Sequence, residues 1–136
     1  MIQRAPDPLA DRRLYVCSRA HHAAMWKTAR AAGVPIIASW IDEAGAGNTE
    51  DFGVLWERIR QDVSAATHVV VFACTADFTL KGALVEVGMA IAAGKPIRLV
   101  LARDVALEPR SCRPIGSWIN HPLVKRFESI EAALAG

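Results

Sequence analysis

Apolar positions along the chain follow two alternating patterns. Compact apolar runs occur at 13–17, 35–40, 68–73 and 97–101. Between them, at about 20–32, 49–66 and 83–93, apolar residues recur at helical spacing instead. Strand and helix in strict alternation predict right-handed crossovers and a parallel sheet with helices on both faces. The uninterrupted valines 69–71 fit a central strand buried on both sides, where alternation disappears. The expected architecture is a single-domain flavodoxin-like, Rossmann-like three-layer α/β sandwich with a mostly parallel sheet of four to five strands.

Turn and cap residues agree with these boundaries. Gly33-Val34-Pro35 closes the first helix, Asn48-Thr49-Glu50-Asp51 opens the second, and Gly94-Lys95-Pro96 ends the third. Towards the C-terminus, 124–127 is a candidate fifth strand, and Ser129 is placed to cap a final helix beginning at Ile130. Residues 102–122 form a long connection without periodicity, a length more often functional than idle. In such a sheet the ligand crevice lies beyond the carboxyl ends of the strands, where strand order reverses. The residues after Cys17 and after Cys74 therefore hold most interest.

At 136 residues, 52% of them hydrophobic, the chain has enough apolar material for one domain core. The expected division is a disordered lead-in at 1–12, carrying charge and two prolines, and one domain at 13–136. No apolar run reaches the roughly 18–20 residues of a membrane span, and the start lacks the apolar core of a signal peptide. A soluble, cytoplasmic protein is expected. Net charge of +2, scattered along the chain, argues against a nucleic-acid polymer as partner. The three cysteines lack C-x-x-C spacing, so neither a disulfide framework nor a zinc site is expected. His21 and His22 are adjacent rather than four apart, which argues against helical metal ligation. No cofactor is implied, since neither G-x-x-x-x-G-K-[ST] nor G-x-G-x-x-G follows a strand. A G-x-S-x-G nucleophile elbow is missing too.

Two carboxylates stand where apolar residues are expected. Glu86 is the sole charged residue between Gly82 and Gly94, a stretch apolar nearly all round and so expected to form a buried helix. Placed in the first helical turn, Glu86 would be kept ionised by unpaired N–H groups and the helix dipole. It would then either serve chemistry or merely stabilise its own helix. Asp62 lies in the inward stripe of the second helix (Phe52, Leu55, Trp56, Ile59, Val63, Ala66), as a site residue or as a solvated residue at the stripe's edge. Together they suggest a shared site with a nucleophile or base and a proton-handling partner. Tyr15 offers a hydroxyl at the crevice floor or fills the core, and Ser18 with Arg19 stands at a helix start suited to an anionic group such as phosphate.

Tyr15 in Leu-Tyr-Val-Cys-Ser, Asp62 in Asp-Val-Ser-Ala-Ala-Thr-His-Val-Val-Val and the run from Gly82 through Glu86 to Gly94-Lys95-Pro96 together resemble a known family. It is the nucleoside 2-deoxyribosyltransferase-like family, which includes the 2'-deoxynucleoside 5'-monophosphate N-glycosidases. The resemblance covers roughly 13–101, and the glutamate motif is its specific part. It implies Glu86 as nucleophile, Tyr15 as the group that holds it, and Asp62 in proton transfer or in positioning the nucleoside. Many members carry an Asp or Ser in the loop before the glutamate that touches sugar or phosphate. Here Leu80 stands there and Asp77 precedes it, so Asp77 and Gly82 join Ser18 and Arg19 as candidate substrate-binding residues. The resemblance further implies a homodimer or higher homo-oligomer, with a stretch like Ser117, Trp118, Asn120 and His121 reaching a neighbour's site. The expected activity is cleavage of a nucleoside or nucleotide base–sugar bond through a covalent glycosyl-enzyme, by transfer or hydrolysis. An NAD-cleaving domain and a nucleotide-binding module without turnover are the alternatives.

Overall fold

The computed structural model describes residues 11–44 and 49–136. The lead-in expected at 1–12 lies outside this range except for Asp11 and Arg12, as does Asn48 of the expected cap.

Strands β1 (Leu14–Cys17), β2 (His68–Ala73), β3 (Ile97–Leu101) and β4 (Val124–Phe127) form one parallel sheet in the order β1-β2-β3-β4. Val69, Val70 and Val71 of β2 are fully buried between β1 and β3, as an apolar strand covered on both faces should be. Helices α1 (Ala23–Ala31), α2 (Phe52–Ala65), α3 (Gly82–Ala92) and α4 (Ile130–Leu134) cover the sheet, which makes the fold flavodoxin-like α/β. Helices α2 and α3 pack on one another, whereas α1 and α4 border a common groove.

The caps follow the sequence closely. Asp51 accepts the Val54 N–H at the start of α2, and Ser129 accepts the Ala132 N–H at the start of α4. Gly94, just past α3, takes φ +71°, the left-handed conformation that lets Pro96 follow the helix so closely.

Two expectations fail here. The strand predicted at 35–40 is reduced to a single parallel bridge between Leu14 and Ile36. Pro35 has no N–H to give, and after Ile37 the chain turns into a 3-10 helix at Ser39–Asp42 instead of continuing along β1. The bridge still marks the topology: the chain runs from β1 to the Ile36 edge on one side, then returns to β2 on the other. Strand order thus reverses between β1 and β2. Second, α3 is not buried all round, because Leu84, Val85 and Gly88 lie on an exposed face while Ala83, Glu86, Val87 and Ala90 face inward.

Candidate active site

At the reversal point a cleft of about 210 Å³ opens, lined by Ser18, Arg19 and Ala20 after β1, Trp40 of the 39–42 turn, Leu55, Trp56 and Ile59 of α2, and Gly82, Ala83 and Glu86 of α3. A second hollow continues from it through Trp40 and Leu55 to Glu43, Thr49 and Phe52. The walls are therefore aromatic and aliphatic, and the carboxyl group of Glu86 lies among them. Gly82 belongs there for steric reasons. A Cβ at this position would meet the Trp56 ring at 3.2 Å, so glycine lets α3 begin flush against the indole.

Glu86 is 5% exposed and accepts a hydrogen bond from the hydroxyl of Tyr15, itself fully buried in β1. Because α3 begins at Gly82, Glu86 falls beyond its first turn and receives none of the unpaired N–H groups expected to hold it ionised. Burial then dominates. It pushes the Glu86 carboxyl up to about 8, against the opposing pull of the Tyr15 hydrogen bond. Burial, and the adjacent Glu86 carboxylate after it, likewise raise the Tyr15 hydroxyl far above its ordinary value, so Tyr15 remains a donor. Tyr15→Phe should therefore move the Glu86 titration further upward in a carboxyl-carbon NMR titration. An unmoved or lowered midpoint would show that the hydroxyl does not stabilise the carboxylate.

The remaining predicted residues separate into those at the cleft and those behind it. Ser18 lines the cleft, yet its hydroxyl is engaged, accepting from Trp26 Nε1 at 2.9 Å and donating to the Arg19 carbonyl at 3.0 Å. Arg19 also lines it, half-buried, with Nη1 donating to the Asp77 carbonyl at 3.4 Å. Asp62 does not line the cleft, yet it lies near enough for its charge to help raise the Tyr15 hydroxyl. Its Oδ2 accepts both the Ser39 N–H at 3.0 Å and the Ser39 hydroxyl at 2.8 Å, which ties α2 to the start of the 39–42 turn. Asp62 is on the inward face as the stripe implied, but a side chain from outside that helix takes it up.

Asp77 is fully buried. Its Oδ2 accepts the Cys74 N–H at 2.9 Å and lies 2.8 Å from His22 Nε2. Burial works against its charge, yet the Cys74 N–H and the His22 ring together hold its carboxyl below the usual value. Its side chain is not among those that line the cleft, although its carbonyl accepts from Arg19, a residue that does. Of the 102–122 connection, Trp118 packs on the core and donates to the Ile115 carbonyl at 2.9 Å, whereas Ser117 and Asn120 are exposed. Spacing alone missed Trp40 and Trp56 as cleft walls. The signal was available, since both flank segments that had to cross the strand ends.

No protein-family model and no curated protein sequence matches the chain. By structure it is similar to a 2-deoxyribosyltransferase from Leishmania mexicana, with a TM-score of 0.62 and 17% identity over 90% of this chain and 93% of that one. At this identity the likeness is one of fold.

Proposed function

We propose that the protein is a nucleoside or nucleotide N-glycosyl enzyme that breaks a base–sugar bond through Glu86. One observation carries the reading: a carboxyl group buried at an aromatic-walled cleft, at the sheet's reversal point, with a tyrosine hydroxyl donating to it. The likeness in fold to a 2-deoxyribosyltransferase and the glutamate motif both favour it.

In the proposed reaction the ionised Glu86 attacks the anomeric carbon. The carbon–nitrogen bond breaks, its electron pair leaves with the base, and the base takes a proton from water entering the open cleft. The resulting sugar ester of Glu86 passes to water or to a second base, which frees the carboxylate. Tyr15 holds the attacking oxygen in place and stabilises its charge. The Trp40 and Trp56 rings offer stacking faces for the base, and base–aromatic stacking contributes about 1–3 kcal/mol. Arg19 at the rim is the group for a 5'-phosphate. Asp62 acts from behind, by fixing the turn that carries Trp40.

The same reading includes pairing of two copies. Phe52 and Val54 at the start of α2, with Leu84 and Val85 at the start of α3, are large apolar side chains left exposed, and Phe52 lines the hollow beside the cleft.

The test is a panel of ribo- and deoxyribonucleosides, their 5'-monophosphates and NAD, with free base followed by chromatography and a second base added to detect transfer. Base release from at least one nucleoside or monophosphate is expected. Release of nicotinamide from NAD alone would replace this reading by an NAD-cleaving one. Tight binding in calorimetry with no product over hours would replace it by a binding module.

A further inference from the structure

Adjacent histidines on a regular helix point about 100° apart and do not converge. Here His21 and His22 lie on the short 3-10 turn Ala20–His22 that follows β1, and both rings turn toward the same carboxylate. His21 Nε2 lies 3.1 Å from Asp77 Oδ1, and His22 Nε2 lies 2.8 Å from Asp77 Oδ2. The ligand atoms of the three residues all fall within 4.8 Å of one another. The ring of His22 is held edge-on against Phe72, with centroids 4.9 Å apart, so it is not free to turn away.

A second observation concerns Asp77 itself. The residue is 0% exposed, and its Oδ1 has no hydrogen-bond partner of acceptable geometry among the described residues. Its other oxygen already takes the Cys74 N–H and the His22 ring. A buried carboxylate oxygen left without a donor is costly, and a cation seated between it and the two imidazoles removes that cost. Two nitrogen or oxygen donors on one tetrahedral zinc, with bonds of about 2.0–2.1 Å, are separated by roughly 3.3–3.4 Å. The two histidine–carboxylate separations, 3.1 and 2.8 Å, lie just below that value.

We propose that His21 Nε2, His22 Nε2 and the Asp77 carboxylate bind a divalent transition metal of the zinc class, with water completing the coordination. Imidazole nitrogens select such an ion over magnesium or calcium, which want oxygen. The metal would clasp the turn after β1 to the loop entering α3, the two segments that carry Arg19 and Gly82 to the cleft. Binding leaves each histidine neutral with its Nε2 lone pair on the ion, and any proton held there goes to Nδ1 or to solvent.

The experiment uses tag-free, metal-stripped full chain titrated with zinc in calorimetry and with cobalt in visible absorption. One equivalent is expected to bind, with cobalt ligand-field bands that His22→Ala abolishes. Asp77→Asn and His22→Ala should weaken zinc binding at least about 10-fold, while His121→Ala should leave it unchanged. Because Asp77 is buried, its variant could fail to fold. His21→Ala, at an exposed ring, keeps the test sound, and circular dichroism of the metal-free variants checks folding. Absence of saturable binding, or unaltered binding in His21→Ala and His22→Ala, overturns the proposal. Every readout is independent of base release, so failure here and failure of the glycosyl reading are distinguishable.

Discussion

Glu86→Gln abolishes base release while leaving a folded protein. The amide has nearly the shape of the carboxylic acid, so it fills the same site on α3 and can still accept the Tyr15 hydroxyl. It cannot become an anion that bonds to the anomeric carbon. Loss of a nucleophile removes a covalent route outright, and a fall of at least about 10³-fold in kcat/KM is expected. Chromatography of released base, with substrate turned over by the unaltered protein as reference, measures it. The pH profile gives an independent reading of the same group. With the carboxyl pushed up to about 8, only about a tenth of the free protein carries ionised Glu86 at pH 7, so kcat/KM should rise about tenfold per pH unit below 8 and level above it. If Glu86→Gln retains activity within a few-fold, or if the profile is flat from pH 6 to 9, Glu86 is not the nucleophile.

The sheet was legible because its signals are local and redundant. Valines 69–71, the Gly94-Pro96 ending and the Ser129 cap each specify an element through residues within a few positions of one another. The edge at 35–40 was not legible, because its composition is that of a strand. Its fate was decided by Asp62, distant in sequence, whose carboxylate takes up the N–H and hydroxyl of Ser39 and so favours the turn. The same contact explains why Asp62 was only half legible: an acid on an inward stripe announces a buried polar contact without saying with what. Glu86 shows the opposite case. Its singularity on an apolar helix singled the residue out, but its place just past the first turn of a helix that starts at Gly82 reversed the expected electrostatics, from an ionised group to one raised to about 8. The His21, His22 and Asp77 cluster was illegible for a related reason. Spacing rules for helical ligands do not apply to a 3-10 turn, and Asp77 comes from another element.

The second large effect is on stability, and its sign is opposite to that on activity. Unfolded, Glu86 ionises near its ordinary value of 4.5, while in the folded protein burial delays ionisation to about 8. Between these values the folded state holds a proton that the unfolded state has released, so this group's contribution to stability falls steadily as pH rises and levels off above 8. Each unit of separation corresponds to about 1.4 kcal/mol, so the full swing is about 4–5 kcal/mol. Glu86→Gln carries no titrating group there and should escape the decline altogether. Urea unfolding at pH 5, 7 and 9 isolates this effect, since the other ionisable groups contribute alike in both proteins. Near pH 5 the two midpoints should nearly coincide, and at pH 9 the glutamine variant should be the more stable by several kcal/mol. Parallel curves would mean that Glu86 ionises in the fold as it does in water. A protein that keeps so costly a carboxyl on an otherwise apolar helix does so at the expense of its stability at neutral and alkaline pH, the trade expected of a residue retained for its chemistry.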